Sequence, residues 1–289
     1  MQEDIQDTTP NPAFVMRERQ IDNGAGNAKI AFLVCEPLER AGFNNAFSTR
    51  LGGVSPLPED SLNLAYFKGD AKETVEENRR RFLKAIGAEQ ARIITARQTH
   101  STERTVIESA QQASGPQPDC DAMITKLSGV LLAIQTADCL PVLIGDPRTG
   151  VVAAIHAGWR GTAGRITERT IADLMLHGVS PRDCIAALGP VACAECYEVG
   201  EDVIDRYKKD FGYWRKLLLN SDREGKAYLD IRAANVQQLS FCGFSEDRIH
   251  VTDYCTMHHN ELFFSYRREG NRQPSSVGRL LSVIGRTNS

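Results

Sequence analysis

Cys139 stands immediately before one short apolar run, Leu140–Gly145, and His156 ends another, Val151–His156. A thiol and an imidazole can work as a nucleophile and its base, or can clasp one zinc or copper ion. Both chemistries require the two side chains to meet. The runs are rich in Val, Leu and Ile and are split by Asp146-Pro147-Arg148-Thr149 and Gly150, a pattern that predicts a β-hairpin. A two-residue turn pairs Asp146 with Thr149, and a four-residue loop pairs Gly145 with Gly150. Either register sets Cys139 directly opposite His156, with Cβ atoms about 4.5–5.5 Å apart. A bulge or a three-residue loop would break that pairing. One hairpin face carries Leu140, Val142, Ile144, Val151, Ala153 and Ile155, and the other Pro141, Leu143, Val152 and Ala154. Both faces are apolar, so the hairpin is expected in the middle of a layered domain.

A second histidine, as third ligand, would turn the pair into a metal site. His100 follows a short strand expected over 92–96 and leads Ser101, which makes it the preferred candidate, with His258 and His259 as rivals. Two histidines and one cysteine leave a position open, the pattern of a catalytic zinc site rather than a closed structural one; the same donors accept copper. Asp138, beside Cys139, is a candidate acid/base or orienter of a ligand, although orienting needs a twist, because strand neighbours point to opposite faces. Two anion sites are conceivable. One is Arg50 with the backbone of Gly52 and Gly53, after a strand over 43–48. The other is Arg160, near the start of a helix expected over about 163–176 with Thr162 as N-cap. Trp159 offers an aromatic face for stacking. Cys193 and Cys196 form a C-x-x-C, but no second pair follows at zinc-binding spacing, so the signal for structural zinc is weak.

The elements that must position these residues follow from periodicity and stop signals. Strands are expected over 30–34, 43–48, 92–96, 130–135, 185–188, 249–253, 262–266 and 280–284. Helices are expected over 72–86, 163–176, 201–209 and 230–242. Residues 211–226 are expected to form an excursion, and Tyr266-Arg267-Arg268, which could line a site, is placed by preference on a surface edge strand. Residues 1–26 are polar, with Pro10 and Pro12, and are expected to form a loose tail without signal-peptide character. One domain is expected from 27 to 286. The 34 basic and 37 acidic residues of the 289-residue chain give a net charge of −3 and no electrostatic case for nucleic acid. No apolar run approaches the ~20 residues of a membrane span. Eight scattered cysteines point to reduced thiols and a cytoplasmic setting.

The ordered series FSTRLGGVSP, SLNLA, ENRRRF, RQTHS, TADCLPVLI, HAGWRGT, LGP…CYEVG, FCG and FFSYRR…GR resembles the YfiH/laccase-domain family over about Phe47 to Arg279. That family was first described as multicopper polyphenol oxidases and later as zinc-dependent purine nucleoside phosphorylases. The resemblance implies an α/β fold of α+β type, a single-domain α/β/β/α layered sandwich with mixed sheets. It implies His100, Cys139 and His156 as the metal ligands and catalytic centre, and zinc as the cofactor with copper as the alternative. It implies purine nucleosides and phosphate as the small-molecule partners, with adenosine deamination as a side activity; Arg50, Gly52, Gly53, Trp159 and Arg160 are then the substrate-binding candidates. Where the family reads G-P-x-I-G-P-x-C-Y, this chain reads Gly189-Pro190-Val191-Ala192-Cys193-Ala194-Glu195-Cys196-Tyr197, without the second Gly-Pro. The rival classes are a copper-dependent polyphenol oxidase, a metal-free cysteine hydrolase or deamidase using Cys139 and His156, and a non-catalytic binding domain.

Overall fold

The computed structural model describes residues 12–22, 27–57, 60–270 and 277–286. Two six-stranded sheets pack face to face. The first runs in the order β1 (Phe14–Asp22), β2 (Asn27–Cys35), β3 (Asn44–Ser48), β16 (Leu280–Arg286), β8 (Val130–Thr136) and β5 (Arg92–Thr95). The second runs β15 (Ile249–Val251), β11 (Ile185–Leu188), β9 (Leu140–Gly145), β10 (Val152–Ala157), β7 (Ala122–Thr125) and β6 (Arg104–Ile107). Both are mixed: β5–β8, β6–β7 and β11–β15 pair in parallel, and the remaining neighbours antiparallel.

The core between the sheets is built from Phe43, Phe47, Leu132, Ile134, Ile284 and, from the hairpin, Leu143, Val152 and Ala154. The other hairpin face, with Val142, Ile144, Ala153 and Ile155, packs on α5 (Ile166–Leu176) and α7 (Ile231–Phe241) through Ile171, Leu174 and Leu239. On the far side of the molecule, α2 (Lys72–Ala85) sets Phe82 and Ala85 against Phe32, Leu131 and Val283 of the first sheet. The order helix, sheet, sheet, helix is the expected α/β/β/α sandwich, and a sheet covered on both faces is why the hairpin is apolar on both. The remaining elements are short: α1 (Glu36–Arg40), β4 (Leu51–Ser55), α3 (Ala110–Ala113), α4 (Trp159–Ala163), α6 (Glu201–Asp210), α8 (Tyr266–Glu269) and a small sheet of β12 (Glu198–Val199), β14 (Ala227–Leu229) and β13 (Leu218–Asn220).

Several expectations are corrected. The hairpin closes two residues further along its second strand than in either turn considered. Asp146 pairs with Val151 (N···O 2.9 Å), Gly150 N donates to Asp146 O at 2.8 Å, and Gly150 takes φ +75°, a left-handed conformation that draws it into the turn. Asp146 stabilises this turn by accepting from Arg148 N (2.9 Å) and Thr149 Oγ1 (2.6 Å). The register is therefore Gly145 with Val152 and Pro141 with His156, two residues away from the expected one. A shift of two preserves side-chain parity, so the predicted faces survive, while Cys139 falls opposite Gly158 instead of His156. The helix expected from Ala163 is broken at Arg165, φ +64°, into α4 and α5, and Thr162 lies inside α4 rather than capping a helix. Segment 211–226 is not an excursion: Phe211 and Leu217 are fully buried with Tyr207 and Leu229 against α6. The strand expected over 262–266 is absent; Ser265 instead caps α8, accepting from Arg268 N.

The polar tail expected over 1–26 is corrected in the part that is described, since Phe14–Asp22 is a sheet strand paired along its length with β2. The exposed run Glu18-Arg19-Gln20 breaks the alternation and hides the strand signal, while Phe14 packs in the core between the sheets and Ile21 in the cluster on the opposite face under α2. Residues 1–11 and 23–26 lie outside the described residues. Deletion of residues 1–22 is expected to lower unfolding stability by several kcal/mol, since two buried side chains of this size contribute about 1.5–3 kcal/mol each. Denaturant unfolding checks this, and a truncated chain as stable as the full one would return the segment to a dispensable tail.

Candidate active site

β8 of one sheet and β9 and β10 of the other open onto one cleft of 710 Å³. His156 comes from the end of β10, Cys139 from the residue before β9, and His100 from the loop after β5. One ligand atom from each of the three lies within 4.8 Å of the others. The two imidazoles meet edge to face, with centroids 4.8 Å apart. Gly158 makes the approach possible: a Cβ at that position would lie 2.8 Å from His100 Nδ1 and 3.3 Å from Cys139 Sγ. The sequence-derived trio is thus brought together, though by a different register from the expected one.

Asp121 holds this trio in place and was not singled out in the sequence. Its carboxylate is fully buried. Oδ1 lies 2.8 Å from His156 Nδ1 and accepts from His100 N at 3.1 Å. Oδ2 accepts from Ser101 N and Ser101 Oγ, both at 2.7 Å. The backbone adds a tie from His156 N to Asp121 O at 2.7 Å. Burial alone would raise the Asp121 pKa, but the bonds from His156 and Ser101 hold it below the usual carboxylate range. A carboxylate on Nδ1 leaves His156 Nε2 to face Cys139 and His100. Burial opposes charge on Cys139 and His156 too, yet each favours the ion of the other: the thiol is lowered and the imidazole raised. Two imidazoles and a thiolate-prone cysteine, with a second-layer carboxylate on one histidine, fit a divalent metal of the zinc or copper type.

Asp138 lines the cleft but does not reach His156, so the orienting role considered for it belongs to Asp121. Asp138 sits at φ +90°, with Oδ1 accepting from Thr256 Oγ1 at 2.6 Å and Oδ2 from Arg267 N at 2.7 Å. Trp159 and Arg160 also line the cleft, with the guanidinium stacked 4.3 Å from the indole. Arg50, Gly52 and Gly53 do not. Arg50 is 7% exposed and is committed to Glu269 (2.8 and 3.2 Å), Asn260 O (2.8 Å) and the face of Phe264 (4.5 Å). Gly52 and Gly53 lie against the backbones of Lys29 and Ser61. The Arg-x-Gly-Gly pattern thus serves packing, a use that spacing could not tell from anion binding.

The cleft gains residues that sequence reasoning passed over, Tyr66, Gln98, Tyr197 and Arg279, and also Tyr266 and Arg267. Tyr266 and Arg267 were expected on a surface edge strand; α8 turns them into the cleft wall. The signal was present only as an aromatic–basic cluster. Of the rival histidines, His259 is bonded to Cys255 O at 3.2 Å, and His258 lies beside Cys193 and Cys196, away from the trio. Among the described residues no helix is long and apolar enough to cross a membrane.

Replacing Asp121 by Asn keeps the shape but removes the charge that orients His156. Metal affinity at the trio is expected to fall about 10–100-fold. Chelator competition measures this, and an unchanged affinity would show that Asp121 is merely a buried structural anion.

Comparison with known proteins identifies the family. The family model described as multi-copper polyphenol oxidoreductase laccase matches residues 44–287. A purine nucleoside phosphorylase of Deinococcus radiodurans is 38% identical over 242 residues, covering 83% of this chain and 88% of that protein. Adenosine deaminase RL5, from an unknown prokaryotic organism, is 33% identical over 232 residues, covering 78% of this chain and 88% of the relative. The crystal structure of YlmD from Geobacillus stearothermophilus superposes with a TM-score of 0.81 at 31% identity, over 89% of this chain and 96% of that one. With a family match across nearly all of the two-sheet sandwich, and relatives of this identity over most of its length, the chain belongs to the laccase-like family of multi-copper polyphenol oxidoreductase type, the YfiH/YlmD group.

Proposed function

We propose that the protein is a zinc-dependent purine nucleoside phosphorylase of the cytoplasm. It would cleave adenosine, inosine, guanosine and methylthioadenosine with phosphate to the free base and the sugar 1-phosphate, and deaminate adenosine as a side activity. The observation that carries this reading is the His100–Cys139–His156 trio at the wall of a cleft that also offers aromatic faces and guanidinium groups. Relatives named purine nucleoside phosphorylase and adenosine deaminase support the same chemistry.

Each half of the reaction has residues suited to it. Tyr66, Trp159, Tyr197 and Tyr266 supply flat apolar surface for a purine. Arg160, Arg267 and Arg279 supply positive charge to the anionic co-substrate, a task reassigned here from Arg50. Asp138 holds the Arg267 backbone at the cleft wall. Asp121 keeps His156 in the tautomer that presents Nε2, and Cys139 as thiolate completes the donor set. When bound, zinc supplies a Lewis acid and an activated water, the chemistry that deamination requires. A second reading has one observation in its favour. Without metal, the lowered Cys139 thiol and the raised His156 imidazole favour a thiolate–imidazolium pair, the pairing a cysteine hydrolase uses.

The decisive experiment removes zinc by dialysis against a chelator, assays adenosine with and without phosphate, and then restores the metal. Phosphorolysis and deamination are expected to vanish together and return together, and Cys139→Ser is expected to abolish both, because an alcohol replaces thiolate poorly on zinc. Full activity in demonstrably metal-free protein, with a trappable covalent intermediate, would instead establish the hydrolase reading. Arg160→Ala is expected to raise the phosphate KM roughly 10–100-fold, the value of a charge-assisted hydrogen bond. Arg50→Ala should leave the phosphate KM unchanged while costing about 3–5 kcal/mol of stability, through the uncompensated Glu269. An unchanged phosphate KM in Arg160→Ala, with a raised nucleoside KM, would move Arg160 to the base or ribose pocket.

A further inference from the structure

The C-x-x-C of Cys193 and Cys196 lacks a second pair in its neighbourhood of the sequence, but the fold supplies one. β11 and β15 are parallel neighbours, so the chain leaves both strands at the same end of the sheet. The alignment continues beyond them as a bridge between Val191 and Cys255, with Thr256 N donating to Val191 O at 3.1 Å. That extension lays Cys255-Thr256-Met257-His258, a C-x-x-H, against the C-x-x-C. Ligand atoms of Cys193, Cys196, Cys255 and His258 all lie within 4.8 Å of one another. Cys196 Sγ is 3.2 Å from His258 Nε2, and Cys193 Sγ is 3.8 Å from Nδ1. A tetrahedral zinc, with bonds of about 2.3 Å to sulfur and 2.0 Å to nitrogen, sets ligand atoms roughly 3.5–3.8 Å apart. The Cys193 amide points at Cys255 Sγ (3.3 Å), as expected where a backbone donor supports a thiolate ligand. One carboxylate, Glu195, is nearby, 3.5 Å from Cys193 Sγ.

We propose that Cys193, Cys196, Cys255 and His258 bind a second zinc ion, in a closed four-ligand structural site separate from the His100–Cys139–His156 trio. Three thiols and one imidazole make a Cys₃His set, which leaves no position for substrate. A disulfide accounts for the cluster less well, since it would leave one of three thiols unpaired, and all eight cysteines of the chain are free. The role of the ion follows from what the two loops carry. Tyr197, next to Cys196, lines the cleft. Thr256, between Cys255 and His258, donates to Asp138 Oδ1 at 2.6 Å, and Ala192 N donates to Asp138 O at 3.1 Å. Asp138 immediately precedes Cys139. The second ion therefore clamps two loops that form the cleft wall and support the strand entry holding Cys139.

Metal analysis of the full chain, purified under reductant without chelator, should give about two zinc per chain, and about one in Cys139→Ala and in the double variant Cys193→Ser/Cys196→Ser. Cobalt(II) added to metal-free Cys139→Ala isolates the second site without disturbing its residues. Because that variant has no thiolate in the trio, thiolate-to-cobalt charge transfer and intense tetrahedral d–d bands would come from the Cys₃His set. In the same variant, zinc should protect Cys193, Cys196 and Cys255 from iodoacetamide and raise Tm, and chelation should reverse both. Absence of the thiolate–cobalt bands in folded Cys139→Ala would overturn the proposal. So would a double variant that keeps the full wild-type metal content, or a disulfide mapped between Cys193 and Cys196 or Cys255 in the reduced preparation.

Discussion

A single buried carboxylate organises the cleft. Asp121 has no solvent exposure, and a charge in that position is expensive unless every lone pair is used. Here it is used by the His156 ring, the amides of His100 and Ser101 and the Ser101 hydroxyl. These bonds satisfy the carboxylate and also decide the site. They set the His156 tautomer and anchor the loop that presents His100, whose φ of +57° is unusual for a residue other than glycine. Gly158 completes the constraint from the opposite side by leaving room for the His100 ring and the Cys139 thiol.

The layered scaffold makes such a site possible by bringing distant segments to one place. Asp121 immediately precedes β7, β10 carries His156 at its end, and the antiparallel register sets them side by side. The neighbouring parallel pair, β11 with β15, sends two loops off the same end of the same sheet. One end of one sheet therefore holds two clusters of metal-ligating side chains, an open trio facing the cleft and a four-membered group behind its wall. Asp138 links them physically, being bonded to Thr256 on one side and adjacent in sequence to Cys139 on the other.

Much of this was legible in the residues, with informative exceptions. The two-faced apolar hairpin, and its place in the middle of a layered domain, follow from alternation and burial demands and survive a register error because that error was even; the α/β/β/α layer order came from the family resemblance. The error came from the turn, where Gly150 takes a left-handed conformation that its type permits but does not require, and the second strand enters two residues later than expected. β1 was hidden because an edge strand of a half-exposed sheet can be mostly polar. Arg50 and the Gly52-Gly53 pair look the same in sequence whether they bind an anion or brace a loop; only the proximity of Glu269, more than two hundred residues later, separates the two. The Asp121 contact and the Cys193/Cys255 pairing are likewise products of tertiary adjacency, which no local spacing reveals.

The account depends most on a metal being held by the Asp121-oriented trio. Anomalous diffraction from crystals of the purified protein, recorded on both sides of the zinc absorption edge, tests this directly. The predicted result is a zinc peak about 2.0–2.1 Å from His156 Nε2 and a His100 nitrogen and about 2.3 Å from Cys139 Sγ, with its remaining position facing the cleft. No peak between these residues in crystals with Cys139 reduced and unmodified, or a metal bound to His156 through Nδ1 with Asp121 displaced, would contradict it.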